Sequence, residues 1–168
     1  MSLQMQNPSQ DWARRAAASG VMAAPGQSIT EAMALLAAAR SSAYAEAARG
    51  ELGRSVSLLL RALNTQPMSF ELQSDMAAML LSAGEYAHAA RYARDALQLQ
   101  PHHGPSWYAL GFALSGLGEA VEASSALRKL LRGTAKQSLM AEAPDLLPLV
   151  KTELARIQRL TRQTQKAV

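Results

Sequence analysis

A chain of 168 residues, 49% of them apolar, is long enough for one domain with a core, and without cysteine it excludes disulfides, thiolate catalysis and cysteine-ligated zinc. The net charge of +4 is spread out, as +2 before residue 70, −2 over 70–103, +2 over 104–137 and +2 beyond. Nucleic-acid binding calls for a dense basic face with interleaved aromatics, so no nucleic-acid partner is expected. No window approaches about 18 uninterrupted apolar residues, and the opening MSLQMQNPSQDWARR lacks the basic-then-apolar order of a signal peptide. No membrane insertion is expected, and the predicted location is cytoplasmic.

Alanine is abundant and no long stretch alternates like a strand, which predicts an all-α chain. Residues 1–28 read as an N-terminal extension. Ser9 can cap a short helix over Asp11–Ala18, which Gly20 and the Pro25-Gly26 pair then end. Trp12 either docks on the remaining chain or a second copy, or stands exposed on a tail. Ser28 or Thr30 starts a long helix reaching about Arg49, with Glu31 in its opening turn. Its inner stripe is weak: Met33, Leu36, Ala43 and Ala47.

A second helix follows over about Leu52–Thr65, with Val56, Leu59, Leu60 and Leu63 apolar. The next, about Ser69–Ala83, carries Leu72, Met76, Met79 and Leu80, and its partner runs over about Tyr86–Leu99. Pro105 suits the first turn of another helix, because the N–H it lacks would be unpaired there anyway. Trp107, Leu110 and Leu114 share one face of that helix. A further helix over about Ala120–Arg132 ends before Gly133. Residues 135–143 continue as helix or loop, and Pro144 marks a boundary. One long helix is predicted over about Asp145–Gln165, with Leu147, Val150, Leu154, Ile157 and Thr161 on one face and Lys151, Arg156, Arg159 and Arg162 elsewhere.

These helices repeat. Gly50, Gly84 and Gly118 stand 34 residues apart, and so do Pro67 and Pro101. Each glycine falls where a helix must turn back on itself, which favours a residue without Cβ. The copy with the fullest pattern reads Trp107-x-x-Leu110-Gly111-x-x-Leu114, then Gly118, then Ala123-x-x-x-Leu127. On these residues the chain resembles the tetratricopeptide repeat (TPR) family across roughly 36–136. The first copy departs from the pattern at Ser42 and Glu46, and the third lacks its closing proline.

The resemblance implies a short TPR-type α-solenoid of about three helix-turn-helix repeats, at about 36–69, 70–103 and 104–137. A capping helix over 138–168 would cover the last apolar face. In that family the first helix of each repeat lines a concave groove, and contacts cluster at the fifth, ninth and twelfth repeat positions. Those places here are Arg40, Tyr44 and Ala47, then Ser74, Ala78 and Leu81, then Tyr108, Phe112 and Ser115. The basic-plus-asparagine arrangement that clamps a terminal carboxylate in some TPR domains is missing, and Arg40 alone would not make it. The expected groove is therefore apolar and aromatic-lined, suited to an extended hydrophobic segment of another protein. The other reading of Tyr44, Tyr108 and Phe112 packs them against the N-terminal segment or the C-terminal helix of the same chain.

No chemistry-bearing motif stands out. There is no Walker loop, dinucleotide fingerprint, nucleophile elbow or His-Glu-x-x-His, so neither an enzyme nor a cofactor is expected. His102 and His103 read as exposed turn residues rather than metal ligands. Length, repeat number and groove character also resemble the translocator-class type III secretion chaperones, which implies a cytoplasmic chaperone and a homodimer formed through the N-terminal region. The alternative is a scaffold subunit of a larger bacterial complex.

Overall fold

The computed structural model describes residues 21–166, with side chains to residue 163. It is all-α: α1 (Ile29–Ala48), α2 (Leu52–Thr65), α3 (Phe70–Ser82), α4 (Tyr86–Leu99), α5 (Gly104–Gly116), α6 (Ala120–Leu130), α7 (Gly133–Glu142), a 3-10 turn (Pro144–Leu146) and α8 (Leu147–Lys166). The expected helix over 11–18, Trp12 and the N-terminal dimer contact all lie outside the described residues.

The periodic glycines make the hairpins. Gly50, Gly84 and Gly118 have φ of 83°, 78° and 80°, a region that costs any residue with a Cβ. At all three turns the glycine N–H bonds back to a carbonyl of the last helical turn, and the following N–H reaches one residue further. The second set of bonds is Glu51 N–H to Glu46 O at 2.9 Å, Glu85 to Leu80 at 2.9 Å and Glu119 to Leu114 at 3.0 Å. This paired closure satisfies carbonyls that a helix end leaves unpaired. At the other ends, Ser28 and Glu31 form a reciprocal capping box on α1, and the Ser69 hydroxyl accepts from Leu72 N–H at the start of α3.

The hairpins stack side by side. α1, α2 and α3 bury Leu36, Ala43, Leu59, Leu63, Leu72, Met76 and Met79 together, and a larger cluster runs from Ala77 to Ile157. Small residues set the spacing, since Ala89, Ala93, Ala96, Ala109, Ala113 and Ala123 are all buried. In α1 the weak stripe proves to be Ala32, Leu36 and Ala43, with Met33 only half-buried. Leu60, expected among the apolar positions of α2, is exposed.

Past α6 the expected C-terminal helix forms as α8, and the stretch read as helix or loop forms α7 before it. α7 packs on α5 and α8 packs on α6, so the two add a further helix layer. The expected boundary at 137/138 falls inside α7. Gly104 contributes twice to holding α7 there: its N–H donates to Ser138 Oγ at 2.9 Å, and its bare Cα sits against the α7 backbone. From α8, Val150 and Ile157 are buried, whereas Thr161 is exposed and its hydroxyl donates to Ile157 O.

Candidate functional site: the concave groove

Stacking hairpins in register puts the first helices side by side. α1, α3 and α5 therefore line a common concavity, closed at its far side by the end of α7, the 3-10 turn and α8. Its volume is about 840 Å³. Arg40, Tyr44, Ser74, Ala78, Leu81, Tyr108, Phe112 and Ser115 all line it, because a 34-residue period returns the same helix face in each copy. Ala47 packs instead on the α1–α3 core cluster.

The middle of the groove is apolar. Tyr108 and Phe112 stack with centroids 4.4 Å apart and planes tilted by 30°, beside Ala78, Leu81 and Leu146. Both rings lean on the core and present their remaining surface to the cavity. Burial, with the Glu153 carboxylate nearby, pushes the Tyr108 phenol up. The C-terminal elements thus wall the groove beside these rings and leave the cavity open.

The two ends are polar, which corrects the expectation of an apolar groove. At the first end Asp75 is only 4% exposed. Its carboxylate accepts from Arg40 Nε, from Arg40 Nη2 at 3.2 Å and from the Tyr44 hydroxyl at 2.8 Å. A buried carboxylate needs such partners, since an unpaired charge there would be costly. Burial and the Asp75 charge push the Tyr44 phenol well up, so it remains a donor. Burial acts most strongly on the Arg40 guanidinium, as a lowering, but the Asp75 and Glu71 carboxylates outweigh it and hold the guanidinium above its usual value. Glu71 lies 3.6 Å from Arg40, yet burial raises its carboxyl.

At the second end Arg156 donates to both oxygens of Glu153 at 2.7–2.8 Å and to Ser115 Oγ at 2.9 Å, while the Ser115 hydroxyl donates to Glu153. The Arg156 bond draws the Glu153 carboxyl below its usual range. Both arginines of the groove are therefore neutralised by carboxylates of the same chain.

His103, expected as an exposed turn residue, is buried at 7% exposure. It stands at the N-cap position of α5, with no side-chain bond to the helix backbone, where the stacking of α7 covers it. Its ring meets Phe70 edge-on at 5.0 Å. Nε2 lies 3.0 Å from Glu142 Oε2 and Nδ1 lies 2.7 Å from Ser106 Oγ. With Glu142 ionised, Nε2–H is the donor to it and Nδ1 accepts the Ser106 O–H. That bond holds the Glu142 carboxyl below its usual value, assisted by the Ser138 hydroxyl. The three residue types are those of a serine–histidine–carboxylate triad, but the ring nitrogens are exchanged relative to it, and Ser106 is 0% exposed, so no substrate atom can reach its oxygen. The arrangement joins α5 to α7.

Sequence reasoning missed Asp75, His103, Glu142, Glu153 and Arg156. One signal was available: Asp75 follows Arg40 by one period plus one residue, and adjacent repeats bring adjacent positions together. Among the described residues no group of His, Asp or Glu side chains could hold a metal ion, and no helix is long and apolar enough to cross a membrane.

Residues 80–143 match the tetratricopeptide repeat family. No curated protein sequence matches the chain. Among solved structures it is similar to the Sgt2 TPR domain from Aspergillus fumigatus, with a TM-score of 0.65 and 23% identity over 76% of this chain and 80% of that one. It is also similar to the Yersinia enterocolitica type III secretion chaperone SycD in complex with a peptide of the translocator YopD, with a TM-score of 0.62 and 18% identity over 76% and 95% of the two chains. The second TPR domain of human RPAP3, in complex with the HSP70 peptide SGPTIEEVD, is similar with a TM-score of 0.57 and 18% identity over 71% and 92%. Residues 80–143 therefore carry the tetratricopeptide repeat match, and the described chain folds as a TPR-type α-solenoid.

Proposed function

We propose that the protein is a protein-interaction module that holds an extended apolar segment of another protein in its concave groove. The observation that carries this reading is the Tyr108–Phe112 stack facing an open cavity between two internally neutralised ion-pair clusters. A ligand carboxylate would have to compete with Asp75 or Glu153 for a guanidinium. Apolar anchors against the two rings meet no such competition. Arg40, Tyr44, Ser74, Ala78, Leu81, Tyr108, Phe112 and Ser115 are the contact residues of this proposal.

Hiding about 400 Å² of apolar surface there contributes on the order of 10 kcal/mol gross. Ordering a flexible segment takes back much of it, and affinity in the micromolar range or tighter is the expected result. The SycD–YopD peptide complex supports the narrower reading of a cytoplasmic secretion chaperone, in which the groove shields a hydrophobic export client.

The test is fluorescence anisotropy with a library of acetylated, amidated nonapeptides bearing aliphatic residues at alternate positions, alongside SGPTIEEVD. Binders should come from the aliphatic set, with SGPTIEEVD at least about tenfold weaker. Tyr108→Ala/Phe112→Ala should weaken those binders at least about tenfold while the variant stays folded, with a urea midpoint lowered only by the packing that the two half-buried rings lose. Unchanged affinity in the double variant removes the groove as the site, and an unfolded double variant assigns the rings to the core.

A further inference from the structure

We propose a second interaction surface on α6, sharing no lining residue with the concave groove, which docks an acidic protein segment carrying an aliphatic anchor. Two depressions adjoin there, of about 680 Å³ and 350 Å³, and share Val121 and Arg128. Arg128, Lys129, Arg132 and Arg162 line them, and no carboxylate lines either one. Among the described residues none of the four forms an ion pair. The concave groove is the opposite case, since each of its arginines is matched by a carboxylate.

Unmatched cations around a concavity favour an anionic occupant, because like charges held together repel until a counter-charge arrives. Helix electrostatics explain only part of the cluster. Arg128 and Lys129 stand in the last turn of α6, where cations suit the helix dipole. Arg162 comes from α8, and Arg132 lies beyond the end of α6. The apolar element is Val121, 75% exposed where the two depressions meet. A single aliphatic side chain among cations matches an acidic peptide with one or two leucine-like anchors.

A nucleic acid fits less well, since single strands need aromatic faces on which bases stack. The nearest ring, Trp107, carries the Lys129 ammonium 5.7 Å from its centroid, and its Nε1–H is donated to Pro101 O at 2.9 Å. A bilayer calls for a broader apolar face than one valine.

The experiment is anisotropy with fluorescein-labelled EELEELEE at about 0.15 M salt, where distant charges are screened and local ones still act. Full-length protein should bind it, and Arg128→Gln/Arg162→Gln should weaken binding at least about tenfold. Arg54→Gln/Arg61→Gln removes the same net charge from α2 and should change it less than about twofold. Val121→Asp should weaken binding, while Tyr108→Ala/Phe112→Ala should leave it unchanged, which separates this surface from the groove. The proposal is overturned by absence of binding, or by an equal loss in the α2 control, which would mean net charge alone. Tighter binding of a short DNA duplex or of phosphatidylserine vesicles, lost in the same α6–α8 variant, would also overturn it.

Discussion

Gly111→Ala tests the packing of the third hairpin where a single methyl group decides it. A Cβ on Gly111 would stand 2.7 Å from Leu127 Cγ and closer still to Cδ2, distances at which something must move. Leu127 is 0% exposed, so its side chain has no free space to turn into. Overpacking of this kind costs about 1–3 kcal/mol, and a contact this close belongs in the upper half of that range. Replacing glycine by alanine inside a helix returns about 1 kcal/mol. The expected net loss is about 1–2 kcal/mol, which for a chain of this size lowers Tm by about 2–8 °C. A double-mutant cycle isolates the contact. Leu127→Ala alone should cost about 2–5 kcal/mol through the cavity it leaves. In the double variant the new methyl group occupies part of that cavity, so the two effects should couple by at least about 1 kcal/mol. Urea unfolding followed by circular dichroism at 222 nm measures all four proteins. Additivity within about 0.5 kcal/mol would show that Gly111 and Leu127 are not in contact and would refute the packing argument.

Three further outcomes are expected. Gly104→Ala should cost more than Gly111→Ala, because its Cβ would lie 2.6 Å from Ala135 O and 2.7 Å from Leu139 Cα, and backbone cannot rotate aside; a smaller loss of urea midpoint than in Gly111→Ala would contradict the seating of α7 on α5. Asp75→Asn should cost about 1–3 kcal/mol in urea unfolding and Tyr44→Phe about 0.5–1.5, since the first weakens charge-assisted bonds and the second removes one hydroxyl; equal effects would speak against the Arg40–Asp75 pair. The Glu142 carboxyl is lowered from an ordinary value of 4.5 in the folded chain, chiefly by His103. A depressed folded value means its stabilisation is full above the ordinary value and is lost as pH falls through the lowered one. Glu142→Gln should therefore show a shallower decline in stability over that acid range than wild type, and superimposable pH profiles would remove this group from the acid response.

The hairpin architecture is written in local chemistry, which is why it is legible in the sequence. Gly50, Gly84 and Gly118 each supply a left-handed turn, and a turn depends on a handful of consecutive residues. The same period then dictates which helix face recurs in each copy, so the eight residues from Arg40 to Ser115 could be named beforehand and do line one cavity. Their role in holding a partner is the proposal tested above. What surrounds them depends on packing between residues far apart in the chain. Asp75 meets Tyr44 across 31 residues and Arg40 across 35, Glu142 meets His103 across 39, and Arg156 meets Ser115 across 41. No local pattern encodes such pairs.

By itself the sequence determined that the chain is helical, that it turns every 34 residues and which helix faces look inward. Backbone conformation and apolar periodicity are properties of neighbouring residues, and they suffice for that much. Only the tertiary structure decided that α7 and α8 add a further layer, that His103 is buried beneath it, and that the groove ends in neutralised ion pairs. Each of these follows from a surface covered by a distant element, and the free energy of covering it exists only once the helices are stacked.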